Sequence, residues 1–315
     1  MKSKLENRWF ESITTTASMR KIKALLEYGG KLTTDFSPFG LTDANLADFR
    51  GLNLSDLNIR NVEIRNADFS YTQFCNARIK KSVFENVKYE KVDLTNCAEL
   101  SNQFSNVEFI NCKFNYGGIG CDGSIYKYCV FTKSFFTKTS FVRGEFNNVR
   151  FADCKLRGVD FYGSSFENCI FIGKLENVWF RGGYGYPSSE EIYGKAKQNK
   201  MLNVSFEDAI LDGANFSNEC DLSTIILPKT GDHILFDNWA KRLEYLNSKI
   251  IDWEKTEKFE AEVFIFSHSA HAVSQDMFII NTNELQRRYG SGVAEKILFE
   301  LKKIKQHPVT PDASN

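Results

Sequence analysis

Residues 129–171 read CVFTKSFFTKTSFVRGEFNNVRFADCKLRGVDFYGSSFENCIF, and a large apolar residue recurs at every fifth position of this stretch. The residue two positions before each of these centres is mostly small, as Cys129, Ser134 and Thr139 are. A period of five matches neither the repeat of an α-helix, about 3.6 residues, nor that of a strand, about 2. It predicts short extended segments joined by corners, with one small and one large side chain of each segment pointing inward. The large residues are Phe131, Phe136, Phe141, Phe146, Phe151, Leu156, Phe161, Phe166 and Phe171.

The same spacing occurs earlier in the chain, from Phe49 to Phe114, and in a short third run over residues 206–216. Thirteen of the fourteen centre positions in the earlier run are large and apolar, and the exception is Glu99. We expect the chain to bulge there, so that Leu100 points inward in place of a carboxylate. Most of the 28 phenylalanines occupy such centres, so their excess indicates a fold rather than a chemistry.

Four such segments close a square turn of about 20 residues, and stacked turns are separated by the inter-strand spacing of about 4.8 Å. Residues one turn apart then form ladders, in which offset stacking of rings adds to their burial. The scarcity of proline agrees with a backbone whose N–H groups are all needed for hydrogen bonds. The pattern therefore predicts an all-β solenoid, with one structural core ladder made of Phe49, Phe69, Tyr89, Phe109, Phe131, Phe151 and Phe171.

Three segments are similar to a known repeat unit: ADFRG at residues 47–51, ADFSY at 67–71 and ANFSN at 214–218. They resemble the A(D/N)LXX unit of the pentapeptide-repeat family, over residues 36–223 with interruptions. The resemblance implies a right-handed quadrilateral β-helix, and it implies a scaffold rather than a specific activity.

The extent of the repeats divides the chain into parts. Residues 19–28 have helical spacing and are followed by Gly29 and Gly30, so we expect a helix that caps the open end of the solenoid. Helical spacing returns over 232–250 and 283–305, whereas the apolar runs 261–266 and 277–280 fit either strand or buried helix. The predicted parts are a helical cap at 1–35, a β-helix at 36–227 with insertions at 115–128 and 182–203, a mainly helical C-terminal region at 228–306, and a disordered tail at 307–315.

Composition narrows the class of protein. The 315 residues include 40 basic and 40 acidic side chains, and this balance argues against direct nucleic-acid or membrane-surface binding, which need a basic excess. The chain shows no secretory signal and no membrane-spanning apolar stretch, and its 8 cysteines fit reduced thiols. We therefore expect a cytoplasmic protein.

No sequence motif predicts catalysis. His268 and His271, with Asp276 nearby, have the spacing of a helical metal pair, but no third ligand follows from spacing, so we expect a polar helix end or turn and no metal site. Five cysteines occupy the small inward positions, where cysteine acts as a small hydrophobe, and no CxxC motif occurs. We expect no catalytic residue and no cofactor.

The sequence therefore predicts a non-catalytic recognition or scaffold protein that binds a protein partner through its insertions. The residues expected to contact that partner are Tyr116, Ile119, Tyr184, Tyr186, Tyr193, Lys195 and Lys197. The amphipathic C-terminal helices leave homodimer formation open.

Two alternatives stay open. Family members that mimic DNA and protect a type II topoisomerase, such as gyrase, from a toxin or drug are expected to be distinctly acidic. Here residues 31–227 carry 24 acidic and 22 basic side chains, and Arg60 and Arg65 interrupt an anionic stripe. The other alternative places an effector or enzyme activity in the C-terminal region, with His268 as its test residue.

Overall fold

A computed structural model describes residues 2–305, and its first part is a helical cap. Helix α1 (Lys2–Asn7) leads through a 3₁₀ turn (Arg8–Phe10) into α2 (Ile13–Tyr28), which begins six residues before the predicted start at Met19. The Ser12 side chain caps α2 by accepting a hydrogen bond from the Thr15 N–H. Buried residues on one face of α2 pack against the first turns of the solenoid. The predicted disordered tail at 307–315 lies outside the described residues.

The middle of the chain is a right-handed quadrilateral β-helix, as the resemblance to pentapeptide repeats implies. A 3₁₀ turn (Thr34–Phe36) lies at the start of the β-helix. The insertion that begins at residue 182 carries the short helix α3 (Ser189–Tyr193). The strands of the β-helix are β1 (Gly30–Leu32), β2 (Ala47–Asp48), β3 (Asn58–Arg60), β4 (Val62–Asp68), β5 (Arg78–Lys80), β6 (Val83–Glu90), β7 (Ala98–Leu100), β8 (Gln103–Ser105), β9 (Glu108–Ile110), β10 (Gly118–Cys121), β11 (Ile125–Lys127), β12 (Val130–Thr132), β13 (Ser140–Val142), β14 (Glu145–Asn147), β15 (Arg150–Ala152), β16 (Asp160–Tyr162), β17 (Ser165–Glu167), β18 (Ile170–Glu176), β19 (Trp179–Arg181), β20 (Ala209–Asp212) and β21 (Asn215–Ser217).

Each turn hydrogen-bonds in parallel to the next, so that residues 20 apart, such as Ile64 and Phe84, are paired. The corners between segments need a left-handed backbone, which asparagine adopts more readily than most residues because its short side chain is tolerated there. Asn61, Asn66 and Asn86 hold such corners with φ of 52° each. The asparagines two positions after a centre therefore turn the chain, while the centres fill the interior.

The interior is a continuous stack of rings. Along one face, Phe49, Phe69, Tyr89, Phe109, Phe131, Phe151 and Phe171 stack with successive centroid separations of 5.3, 5.8, 5.1, 4.6, 4.9 and 5.0 Å. Rings of the neighbouring face meet them edge-on, as Phe136 meets Phe131 at 5.8 Å. Burial of each such side chain contributes on the order of 1.5–3 kcal/mol, which makes the stack the main source of stability.

The predicted insertion at 115–128 is much smaller than a protruding loop. Strand β10 within it pairs with β7 and β13, and the extra residues form a bulge in β10 between Gly118 and Cys121. Ile119 lies inside the β-helix and is only 3% exposed. The prediction that Ile119 contacts a partner is therefore wrong, because its position is a buried centre of the repeat.

Glu99 also departs from its prediction. It keeps the ordinary register opposite Ile79 and is buried, and the bulge falls one turn later. The Gly120 N–H and the Tyr126 hydroxyl donate hydrogen bonds to its Oε1, and Asn102 Nδ2 donates to Oε2 at 3.2 Å. Burial raises the pKa of the Glu99 carboxyl, and these hydrogen bonds only partly offset that effect. A carboxylate thus occupies an inward centre position because the next turn of the β-helix supplies its hydrogen-bond donors.

We expect the Glu99→Gln variant to be more stable than the wild type at neutral pH. In the folded protein the pKa of Glu99 lies above its ordinary value of 4.5. The protonated carboxyl therefore stabilises the fold below pH 4.5, and this stabilisation is lost as the pH rises through the folded pKa. The difference in free energy of unfolding between Glu99→Gln and the wild type should grow by at most about 1.4 kcal/mol per pH unit. At acidic pH this difference should disappear. Urea unfolding at several pH values measures it, and a difference that does not depend on pH contradicts the raised pKa.

The C-terminal region combines a small antiparallel sheet with helices. Strands β22 (His233–Phe236) and β23 (Phe278–Asn281) pair with each other, and the helices are α4 (Trp239–Lys249), a 3₁₀ turn (Ile250–Asp252), α5 (Lys255–Ala272), α6 (Thr282–Tyr289) and α7 (Ser291–Lys302). The prediction of one helix over 232–250 is wrong in its first part. Asn238, with φ of 50°, separates the strand from the helix, and residues 233–236 gain backbone partners in β23.

Two buried polar side chains hold this region in place. The amide of Gln275 pairs with the backbone of Cys220 in both directions, accepting from its N–H at 3.0 Å and donating to its carbonyl at 2.7 Å, and so joins the region to the end of the β-helix. Arg242 is 1% exposed, and its guanidinium donates to the backbone carbonyls of Leu301 and Ile304 and to Asp237. Among residues 2–305, no helix has the length and apolarity required to span a bilayer.

Candidate partner-binding surface

The long insertion leaves and rejoins the β-helix at two fixed points. Gly182 lies so close to the next turn that a Cβ there would meet the Asn218 carbonyl oxygen at 2.1 Å. Asn199, which is buried, lies where the chain rejoins the β-helix. Its backbone N–H donates to the Gly182 carbonyl at 2.9 Å, and its side-chain Nδ2 donates to the Arg181 carbonyl at 3.0 Å. The ends of the insertion are therefore part of the core.

The insertion also docks on the side of the β-helix. Arg143 donates to the Tyr193 carbonyl at 2.6 Å, and the Tyr162 hydroxyl hydrogen-bonds to the Ser189 hydroxyl. The Tyr184 hydroxyl donates to the Gly194 carbonyl at 2.9 Å, which closes the insertion on itself. The rings of Tyr162, Tyr184 and Tyr193 lie within 6.2 Å of one another, and burial raises the pKa of Tyr184. These contacts fix the backbone of α3.

Beyond these contacts, the insertion turns apolar side chains to solvent. Tyr186 and Ile192 are each 71% exposed, and Tyr193 is 39% exposed. Lys195 and Lys197 are exposed beside them, and Lys197 Nζ lies 3.7 Å from a carboxylate oxygen of Glu145. We call Tyr186, Ile192, Tyr193, Lys195 and Lys197 the insertion surface.

The sequence-predicted binding residues therefore fall into different places. Tyr186, Tyr193, Lys195 and Lys197 share the insertion surface, whereas Tyr184 is half-buried and supports it. Tyr116 is a corner residue of the β-helix, 57% exposed, with Lys138 Nζ 5.6 Å from its ring centroid.

Sequence reasoning missed three residues of this site. Arg143 and Tyr162 hold the insertion, and Ile192 is exposed on it. A signal for Tyr162 was present, because an aromatic residue immediately after the centre Phe161 occupies an exterior position that is usually polar or charged in this chain.

His268 and His271 lie in aromatic surroundings rather than at a metal centre. His268 Nδ1 lies 2.7 Å from the Phe264 carbonyl oxygen, and the His271 ring stacks on Trp179 at 6.1 Å. Burial lowers the pKa of both imidazoles, so both are neutral at physiological pH. Within residues 2–305, no cluster of three or more His, Cys, Asp or Glu side chains is arranged to hold a metal ion.

The cysteines are equally unsuited to reactive chemistry. Those at inward positions are buried free thiols, and burial raises the pKa of Cys112, Cys154 and Cys169 to about 12. A thiol needs a lowered pKa to be a nucleophile or a metal ligand at neutral pH. These residues therefore fill the core.

Comparison with known proteins agrees with this architecture. A family model for pentapeptide repeats matches residues 41–80 and 136–173, in 8 copies. No curated protein matches the chain in sequence. Two solved structures that it resembles are QnrB1, a plasmid-mediated fluoroquinolone resistance protein, and HetL, a pentapeptide repeat protein involved in heterocyst differentiation regulation from the cyanobacterium Nostoc sp. strain PCC 7120.

The likeness to both is distant. QnrB1 is 13% identical with a TM-score of 0.36, over 54% of this chain and 82% of QnrB1. HetL is 17% identical with a TM-score of 0.32, over 59% of this chain and 89% of HetL. The spacing of five, the stacked square turns and the match of the family model lead to one conclusion: the β-helix of this chain contains pentapeptide repeats, at residues 41–80 and 136–173.

Proposed function

We propose that this protein is a non-catalytic recognition protein, and that a protein partner binds the insertion surface. The observation that carries the proposal is that α3 is fixed to the β-helix while Tyr186 and Ile192 remain 71% exposed. Exposed apolar side chains grouped on an ordered support are typical of protein-binding sites.

The rigidity of the support favours binding. Association is weakened by the entropy lost when loops and side chains become ordered, and an insertion held by Arg143 and Tyr162 has already lost much of it. Tyrosine is enriched among residues that dominate binding energy, because its ring buries a large area and its hydroxyl can still hydrogen-bond. The rim around this apolar centre is of mixed charge, because the exposed Lys195 and Lys197 lie in the same insertion as the exposed Glu190 and Glu191, and Lys197 is also paired with Glu145.

The charge distribution does not favour DNA mimicry. Several exterior acids of the β-helix are paired with bases on neighbouring positions, as Glu63 is with Lys31 and Arg65, and as Glu176 is with Lys174. A mimic of DNA needs a dense row of uncompensated negative charge. A supercoiling assay with a gyrase poison tests this alternative, because restored activity at stoichiometric protein would favour it over the role proposed above.

A paired variant tests the proposed surface. Tyr186→Ala combined with Ile192→Ala removes both exposed side chains without touching the docking contacts, and Tyr128→Ala is the control because Tyr128 is a 58% exposed corner residue elsewhere. In affinity capture from the native host, the wild type and the control should retain the same partner, and the paired variant should lose it by at least about tenfold, the effect of a lost hot spot. Equal capture by all three proteins contradicts the proposal.

Self-association through α5 is a second contact that we propose. Phe259 and Phe266 on α5 and Val273, which caps the C-terminal end of α5, lie seven residues apart and are 62%, 84% and 89% exposed. A spacing of seven gives an apolar stripe that a second helix can cover. Sedimentation equilibrium should therefore show a dimer that Phe266→Glu dissociates, whereas a monomeric wild type at high protein concentration contradicts this contact.

A further inference from the structure

A cavity of about 250 Å³ lies where the C-terminal region meets the last turn of the β-helix. Leu211, Asn215 and Phe216 line it from the β-helix, and side chains of α5, β23 and α6 line it from the other side. Phe264 and Phe278 flank the His268 ring, at centroid distances of 4.3 and 5.1 Å. Aromatic rings beside convergent polar side chains, such as those of Asn215, His268 and Tyr289, are typical of small-molecule sites.

Two polar groups of the lining, His233 Nδ1 and the Tyr289 hydroxyl, form no hydrogen bond among residues 2–305. Tyr289 is 7% exposed, and within the described chain its buried hydroxyl forms no hydrogen bond. Leaving such a group unsatisfied costs about 1–3 kcal/mol, and a ligand atom that accepts a hydrogen bond would remove that cost. The unpaired Tyr289 hydroxyl therefore favours a ligand that carries a hydrogen-bond acceptor.

The charges around the cavity are arranged unevenly. Arg288, which is exposed, lies over the Tyr289 ring at 5.4 Å, and its positive charge contributes, after burial, to the lowered pKa of His268. Glu284 is the exposed acid of the lining. Burial lowers the pKa of His233, and the negative charge of Glu284 partly offsets this effect. Among the described residues of the lining, Arg288 is the one cationic side chain, and it lies beside Tyr289, one helical turn from Glu284.

We propose that this cavity binds a small carboxylate with an apolar or aromatic body. The carboxylate accepts hydrogen bonds from the Tyr289 hydroxyl and the Arg288 guanidinium, and the body lies against Phe278. Hydrogen bonds to a charged group are about twice as strong as neutral ones, which makes the charge of the ligand decisive. The cavity is separate from the insertion surface, so this proposal does not depend on partner binding.

Benzoate is the probe that we would use, with benzamide as a neutral compound of the same shape. Calorimetric titration of the full-length protein should show benzoate binding in the millimolar range or tighter, and benzamide binding at least about tenfold more weakly. Tyr289→Phe and Arg288→Gln should each weaken benzoate binding by about tenfold or more. Arg287→Gln is the matched control, because Arg287 is exposed on α6 but does not line the cavity, and it should leave benzoate affinity unchanged.

A structural role of Tyr289 is distinguished by the thermal midpoint of the ligand-free protein. Since its hydroxyl has no hydrogen-bond partner among residues 2–305, Tyr289→Phe should leave the midpoint unchanged or raise it while benzoate affinity falls. The proposal is overturned if millimolar benzoate does not bind, if benzamide binds equally well, or if Tyr289→Phe lowers the midpoint and leaves benzoate affinity unaltered.

Discussion

Replacing Arg242 with methionine is expected to lower the free energy of unfolding of the C-terminal region by about 3–5 kcal/mol. The Arg242 guanidinium is buried and donates to carbonyls at the end of α7, to the Leu301 oxygen at 2.5 Å and to the Ile304 oxygen at 2.6 Å. It also forms an ion pair with Asp237, at the end of β22. Methionine fills much of the same volume, but it leaves buried carbonyls without donors and a carboxylate without its charge partner.

The neighbouring residue provides the control for Arg242. Lys241 is an exposed cation on the same helix, so Lys241→Met changes the same net charge without removing a buried contact. Hydrogen exchange measured by mass spectrometry at increasing urea concentration follows the amides of α4 and α7 separately from those of the β-helix. We expect Arg242→Met to unfold the helices first and Lys241→Met to behave like the wild type within about 0.5 kcal/mol. Equal behaviour of the two variants contradicts the anchoring role of Arg242.

The Phe131→Ala variant should be destabilised by about 3–5 kcal/mol. Phe131 is fully buried in the middle of the stack, between Phe109 at 4.6 Å and Phe151 at 4.9 Å. Truncation removes ring contacts on both sides and opens a cavity that hydrogen-bonded turns cannot close by moving together. The loss therefore combines the transfer of the ring to water with the cavity that remains.

Phe135 is the matched control for Phe131. It has the same side chain four residues later, but it occupies an exterior position and is 38% exposed. Phe135→Ala should cost less than about 1 kcal/mol, because surface substitutions away from special contacts have small effects. Guanidinium unfolding of both variants measures the difference, and equal destabilisation would contradict the division into inward and outward positions.

Much of the fold could be predicted because each pentapeptide obeys the same local rule. Phe131 and its equivalents are inward for the same reason in every turn, and the asparagine corners adopt the left-handed backbone that their side chains tolerate. Glu99 and Ile119 were mispredicted together. The local rule holds at Glu99, and the bulge lies 20 residues later, where Gly120 supplies an N–H to the carboxylate.

The C-terminal strand and the docking of the insertion could not be predicted, for a related reason. Residues 233–236 are apolar enough for a helix, and only their pairing with residues 278–281 makes them a strand. The aromatic residues of the insertion are predicted to bind because they interrupt the period of five, but the contacts that fix them join residues far apart, such as Arg143 and Tyr193. A local pattern carries no information about such pairs.

The central claim is that the insertion surface binds a protein partner, and site-specific photocrosslinking tests it most directly. The photoreactive amino acid p-benzoylphenylalanine replaces Tyr186 in one variant and Tyr128, an exposed tyrosine on a corner of the β-helix, in the other. On irradiation in the native host, position 186 should give a single covalent adduct with a partner protein, and position 128 should give none. Adducts of equal yield at both positions, or no adduct at 186, would contradict the claim.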